Sequence, residues 1–445
     1  MKHEIPGATE RRLRAPFRVL VLAIALCALA FTVAACGSDS SDDSSSSDTT
    51  AAATSTPAET TAATDDASAD TGGATDEQVQ ALMDDAFGGG TKITDLPPDA
   101  QEAYKIYAAP PTDAEKATIK KCLGTSGQCD LGKTNPEAKL KVAQTEDIDN
   151  PYTKVMRAVY LLQAIREPAV KSISFTQASF KVPQALTNFR AAVSQGADVI
   201  VLNLDLGAVM LPVIKQAAAK GVTVWANTQS LPSSKFDGSD IAGQTVIDLC
   251  QYGKDMVKIA LESGKNIAAF TGPPGNAFGA QWTPCAKKAA EEAGAKFSLG
   301  NTGWTPQGEQ QAAAALAAKG LPDALIYDYA PEAFIRKFVS LKKTPPTQVG
   351  GSQTMGSFDA WQDATKAGFP FKSYIAASEM SFSAVTLHAA VKSHLKEDVS
   401  TNIVLPQPVV PVEDVEKYYS ASFPAGANFG GGLPEDVLKD AFAAK

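Results

Sequence analysis

Histidine is scarce in this 445-residue chain, with only His3, His388 and His394. The last two lie six apart on one predicted helix, so no His-Glu-x-x-His zinc site can form, and no Gly-x-Ser-x-Gly elbow occurs. These absences argue against hydrolases built on such sites, and no cofactor or metal is expected. Positive charge is also short. The chain is −9 overall, of which the first 35 residues carry +3 and residues 36–77 carry −10, leaving about −2 on the remainder. No basic field is left for nucleic acid, and no basic helix-turn-helix segment is evident. Long apolar runs are missing too: the stretch Val19–Val33 falls short of the roughly 20 residues a membrane-spanning helix needs.

What that short run does have is a basic opening before it (Arg11, Arg12, Arg14, Arg18) and small residues ahead of a cysteine after it. This is the layout of a bacterial export signal spanning 1–35. Val33-Ala34-Ala35-Cys36, followed by Gly37 and Ser38, resembles the lipobox of bacterial lipoproteins, which implies that Cys36 is lipidated and anchors the chain at the outer face of a cell membrane. Residues 36–77 are almost wholly Ser, Thr, Ala, Asp and Glu, with ten acids and no Lys or Arg. Such a segment cannot build a core and reads as a disordered, self-repelling tether.

Six cysteines are present, of which Cys27 leaves with the signal and Cys36 takes the lipid. Cys122 and Cys129 flank a Gly-rich turn, and a local disulfide is the natural reading in an oxidising space. Cys250 and Cys285 then pair or stay as buried thiols. Pairing is preferred, because both sit near helix starts in one predicted lobe.

From Leu140 onward short β-rich runs alternate with amphipathic stretches, the pattern of a parallel α/β sheet. Strands are predicted at 140–145, 170–175, 198–203 and 222–227, with helices at 152–167, 183–195 and 208–220. After a polar stretch at 232–243 the alternation resumes with helix 245–263, strand 266–271, helix 277–294, strand 296–299, helix 307–319, strand 323–328 and helix 331–342. Asp198-Val-Ile-Val-Leu-Asn203 is echoed by Asp323-Ala-Leu-Ile-Tyr-Asp328, a faint internal repeat that sets a polar side chain at each strand end. In open parallel sheets ligands bind beyond those ends. The loop Gly272-Pro-Pro-Gly-Asn276 lacks the Gly-Lys-Ser/Thr of a phosphate loop, and reads as a turn with Asn276 capping a helix.

Ala192-Val-Ser-Gln-Gly-Ala-Asp198, Ile214-Lys-Gln-Ala-Ala-Ala-Lys-Gly221 and the segment Phe270–Trp282 together resemble the periplasmic sugar-binding proteins of the ribose-binding type, over about 139–445. The resemblance implies a type I periplasmic-binding-protein fold: two Rossmann-like lobes joined by a three-segment hinge, crossing near 228–243, 377–382 and 397–404. Lobe I would take 139–230 and 380–400, and lobe II 240–376 and 404–445. Residues 78–138 would be an added N-terminal segment of one or two helices. The family's binding positions fall on Asn150 and Tyr152 after the first strand, and on Asn227 and Thr228 where sugar binders carry an Asp-Arg pair. Later positions fall at Trp282, Asp328, Ser352 and Glu379. Strand-end logic adds Trp304 and Asn276, whereas Trp225, inside a strand, is expected in the core.

The function expected is capture without chemistry, by a monomer that closes on a sugar or other small polar solute and delivers it to an ABC permease with a cytoplasmic ATPase. The alternative is a binding protein that signals to a membrane receptor.

Overall fold

A computed structural model describes residues 73–229, 241–351, 354–376, 379–428 and 430–444. The export segment, Cys36, most of the tether and Ser352 lie outside the described residues, and Glu379 is described in its backbone only.

The chain opens with α1 (Asp76–Phe87), α2 (Pro98–Tyr107), α3 (Asp113–Leu123) and the short strand β1 (Cys129–Asp130). Alternation then begins: β2 (Leu140–Glu146), α4 (Pro151–Arg166), β3 (Val170–Gln177), α5 (Val182–Ser194), β4 (Val199–Asn203), α6 (Leu211–Ala218), β5 (Thr223–Thr228) and β6 (Gly243–Ile247). A second series follows, with α7 (Leu249–Ala260), β7 (Asn266–Thr271), α8 (Ala277–Glu292), β8 (Lys296–Asn301), α9 (Pro306–Lys319), β9 (Ala324–Tyr327), α10 (Glu332–Ser340), β10 (Thr347–Gly350), α11 (Met355–Lys366) and β11 (Ser373–Ala376). The chain closes with α12 (Phe382–Leu395), β12 (Asn402–Leu405), β13 (Val409–Pro411), α13 (Val412–Val415) and α14 (Glu435–Ala443).

The strands form a seven-stranded sheet, β1-β3-β2-β4-β5-β6-β12, and a six-stranded sheet, β13-β11-β10-β9-β7-β8. All pairings are parallel except β1 with β3 and β11 with β13. Parallel strands are covered by helices on both faces, which explains why β4 and β5 are buried at every position. The central five strands of each sheet follow one order, with the direction of winding reversing beside β2 in the first lobe and beside β7 in the second.

The sequence repeat has a structural counterpart in this order. Asp198, just before β4, accepts a hydrogen bond from the Lys141 N–H at the start of β2 (2.8 Å), and Asp323, just before β9, accepts one from Asn266 at the start of β7 (2.9 Å). Each aspartate caps the unpaired N–H of the neighbouring strand at the far end of the sheet from the cleft.

Several boundaries differ from expectation. The predicted helix 245–263 is divided: Gly243–Ile247 is a strand of the first sheet, and the helix starts only at Leu249. Its periodicity was confounded because Gly-Gln-Thr-Val-Ile is apolar and β-branched, and because β6 is held between β5 and β12. Gly243 is required by packing, since a Cβ there would lie 2.3 Å from the buried Trp225 indole. Strand β12 also joins the first sheet, so the crossings to the second lobe come directly after β6 and β12.

The N-terminal segment holds three helices, not one or two. It is part of the first lobe, with α2 and α3 packed on α4 and Arg166 ion-paired to Glu115 at 2.8 Å. The C-terminal tail divides as well. Strand β13 pairs with β11 in the second lobe, but α14 buries Val437, Leu438 and Ala441 and packs on α3 and α4 of the first. Asp436 and Asp440 pair there with Lys116 and Lys120, on a face that sequence periodicity alone could not assign to either lobe.

Disulfides join Cys122 to Cys129, tying α3 to β1, and Cys250 to Cys285, tying α7 to α8. Trp225 is fully buried, its indole donating to Thr245.

Replacing Gly243 by Ala should destabilise the protein by about 1–3 kcal/mol, because the indole it would strike is enclosed on all sides. Urea denaturation of the variant checks this, and an unchanged midpoint would show that Trp225 can give way.

Candidate functional site

A cavity lies between the two lobes, at the carboxyl ends of the strands on either side of both winding reversals. From the first lobe, the turn after β2 supplies Ile148, Asn150 and Tyr152. Asn150 is held by its own capping bond, its Oδ1 accepting from the Thr153 N–H at 3.1 Å, with Pro151 in the first helical position. Strand β4 ends in Asn203 and is followed by Asp205, while β5 ends in Thr228 followed by Gln229. Gln229 donates its amide to Asp205 at 2.6 Å, bridging the two strand ends.

Asp147 braces this side from behind. It is buried and its Oδ2 accepts from the Leu206 N–H at 2.8 Å, while its backbone carbonyl accepts from Phe180 N–H at 2.5 Å. Loops after three strands therefore meet on one residue. Burial pushes its pKa up to about 7 against the opposing backbone donors Leu206 and Asp205.

From the second lobe come Phe278 on α8, Trp304 after β8, and Asp328 with Tyr329 after β9. Asp328 organises them. Its Oδ1 accepts from the Trp304 indole at 2.8 Å, and its Oδ2 accepts from Trp282 at 2.8 Å and the Thr271 hydroxyl at 2.5 Å. Burial raises its pKa to about 6, less than burial alone would, because these donors favour the charged form. Gly272 makes the arrangement possible: a Cβ there would lie 2.2 Å from the Trp304 ring.

The lobes are in contact over the cavity. The Ala277 N–H, in the first turn of α8, donates to the Asp205 carbonyl at 2.8 Å, and Phe180 meets Trp304 edge-on at 6.4 Å. Thr228 and Trp304 hold positive φ values of 69° and 53°, a region costly for side chains with a Cβ and one that clusters at ligand sites.

Of the expected site residues, Asn150, Tyr152, Thr228, Trp304 and Asp328 line this one cavity. Trp282 does not: it is fully buried behind the wall, its N–H bonded to Asp328. Asn227 also lies one layer back, donating to Asn203 at 3.2 Å and accepting from Thr386 at 2.7 Å. Asn276 caps α8, accepting from the Gly279 N–H at 2.6 Å, and its side chain is outside the cavity. Ser352 is outside the described residues, and so is the side chain of Glu379. Asn203, Asp205, Gln229, Phe278 and Tyr329 are lining residues that sequence reasoning did not select. At β5 the side chain of Asn227 is turned to Asn203 and Thr386 while Thr228 and Gln229, at and beyond the strand end, line the cleft, an arrangement that strand alternation does not predict.

Chemically, the cavity is enclosed by four aromatic rings, with amide and hydroxyl groups between them. No Lys, Arg or His lines it among the described residues, and both carboxylates already accept protein hydrogen bonds. It has the makings of a site for an uncharged solute with flat or apolar faces, gripped by closure of two lobes.

Fold and cleft together define a two-lobed binding protein of the type I periplasmic architecture. Residues 145–393 match the model of the periplasmic binding protein domain, more than half the chain, and the protein belongs to that family. No curated protein matches its sequence. Among solved structures it is similar to an ABC transporter solute-binding protein from Bacillus halodurans with bound myo-inositol (17% identity, TM-score 0.54, covering 64% of this chain and 99% of that one). It is also similar to the periplasmic binding component of the arabinose ABC transporter of a Shewanella species (14%, 0.54, 63% and 94%). A third likeness is to the fructose-binding periplasmic domain of a hybrid two-component system (13%, 0.54, 63% and 93%).

The pKa of Asp147 sets a pH dependence. Folding raises it from about 3.9 to about 7, so its contribution to stability is complete below about pH 4 and is lost as pH rises through 7. Asp147→Asn cannot ionise, so its melting temperature should fall less than that of wild type between pH 5 and 8. Parallel curves would show that Asp147 is charged throughout.

Proposed function

We propose that this protein is the extracytoplasmic, lipid-anchored binding component of an ABC importer, capturing a sugar or other small polar solute between its lobes. The observation that carries the reading is the cavity at the strand ends of both lobes, lined by aromatic rings, amide and hydroxyl groups and two hydrogen-bonded carboxylates. Membership of a family of periplasmic binding proteins supports a place outside the cytoplasm and a binding role instead of catalysis. Fold relatives that carry myo-inositol and arabinose support a polyhydroxylated ligand, whose C–H faces suit Trp304 and Tyr152. Cys36 is proposed as the anchor, and a permease with its ATPase as the partner that distinguishes the closed monomer from the open one. The ligand stabilises closure because it contacts both lobes at once.

A second reading, that closure is reported to a membrane receptor, draws on the fold likeness to a two-component sensor domain. The same capture step serves both.

Thermal denaturation of the mature protein against sugars, polyols, nucleosides, amino acids and aromatic acids tests the capture reading. A solute at 100 times its dissociation constant stabilises by about 2.7 kcal/mol. Trp304→Ala should then weaken the binding solute at least about tenfold, roughly 1.4 kcal/mol. A folded protein that no class shifts would count against solute capture. For the anchor, Cys36→Ser should move the protein from the membrane fraction to the soluble extracytoplasmic fraction, and retention on the membrane would remove Cys36 from that role.

A further inference from the structure

The cleft does not end at its aromatic wall. Tyr152 and Tyr329 also line a second cavity, so the two residues are shared by a front chamber and a rear one. The rear chamber is formed where α4 of the first lobe faces the starts of α9 and α10 in the second, with the chain segment before α14 closing it.

Its polar groups differ from those in front. Glu309, Glu332 and Asn428 line it, and no Lys, Arg or His does so among the described residues. Glu309 is 2% exposed and accepts the backbone N–H groups of Ala333 and Phe334, capping α10. Burial, with Glu332 nearby, raises its pKa to about 9 against these two backbone donors. The cation nearest in effect, Arg336, is half-exposed and paired to Asp363 at 3.1 Å.

Asn428 is an independent observation. It is 4% exposed, and its Oδ1 is buried without a hydrogen-bond partner. Buried acceptors in native proteins are normally satisfied, and leaving one open costs stability. An unsatisfied amide oxygen and the Glu332 carboxyl thus line, beside Glu309, a space with no Lys, Arg or His among the described residues.

We propose that the rear chamber is a subsite for a protonated amine, carried on the far end of an elongated solute whose uncharged end occupies the front chamber. The inference rests on the solute-capture reading above and narrows it to amine-bearing ligands. An ammonium group supplies three donors and one positive charge, matching the Asn428 oxygen and the Glu332 carboxyl, and its charge would favour the ionised form of Glu309 beside it. Tyr152 and Tyr329, shared by both chambers, would hold the neck of the molecule.

Ethanolamine and ethylene glycol are matched in size and differ in the ammonium group, so they serve as probes on the full mature chain at equal ionic strength. Ethanolamine should raise the melting temperature of wild type more than ethylene glycol does. Glu332→Gln should weaken ethanolamine about tenfold, and Glu309→Gln, which keeps an acceptor for the α10 cap, should do the same if the first variant folds poorly. Equal responses to the two probes, or an ethanolamine response untouched by either glutamine variant, would overturn the amine subsite. If a solute from the wider panel still binds in a Trp304-dependent way, that failure leaves solute capture standing. If no panel solute binds, capture itself fails, and with it the elongated ligand, whatever ethanolamine does.

Discussion

Much of the second lobe's contribution to the site depends on one buried carboxylate. Asp328 stands at the end of β9 and accepts from Thr271 at the end of β7, Trp282 in α8 and Trp304 after β8. Charge-assisted bonds of this kind are the strong ones, and in a buried setting an unpaired carboxylate would be costly. The carboxylate therefore fixes four segments at once, and it is the reason a tryptophan can be held at positive φ on the cleft wall. The first lobe answers with Asp147, which gathers the loops after β2, β3 and β4 through backbone donors and its own carbonyl. Each wall of the cleft is thus preorganised around an acid whose oxygens accept protein hydrogen bonds, Asp147 behind the first wall and Asp328 on the second.

The two lobes reach this state by a common plan. Their central strands share one order, and Asp198 and Asp323 cap equivalent neighbours at the opposite end of each sheet. The plan is then made asymmetric. The first lobe gains α1–α3, β1 and α14, so α4 is covered by helices from both ends of the chain. Because β13 pairs in the second lobe and α14 docks on the first, the tail crosses the cleft's flank and helps to enclose the rear chamber.

The alternation of strands and helices was legible, because parallel strands covered on both faces are written as short continuous apolar runs between amphipathic helices. Strand ends were legible too, and together with the family resemblance they led to Asn150, Tyr152, Thr228, Trp304 and Asp328, which line the cavity. What failed was the distinction between facing the cavity and supporting it. Trp282 and Asn227 sit at strand-end or first-turn positions like the lining residues, yet point inward to Asp328 and Asn203. Residue type and place along the chain do not report which way a side chain leaves a turn. The split of 245–263 into β6 and α7 failed for a related reason, since a β-branched run beside a helix has no marker until a neighbouring strand claims it.

By itself the sequence determined the alternating α/β class of architecture in two series of elements, and it set out the export and tether segments as expectations, because these depend on local pattern and composition. Only the tertiary structure decided that the tail returns to the first lobe, that two carboxylates serve as braces, and that a second, acidic chamber lies behind the tyrosines. Those facts arise from contacts between segments hundreds of residues apart, such as Tyr107 with Gly431 and Tyr104 with Ser381, and no local pattern encodes which distant surfaces will meet.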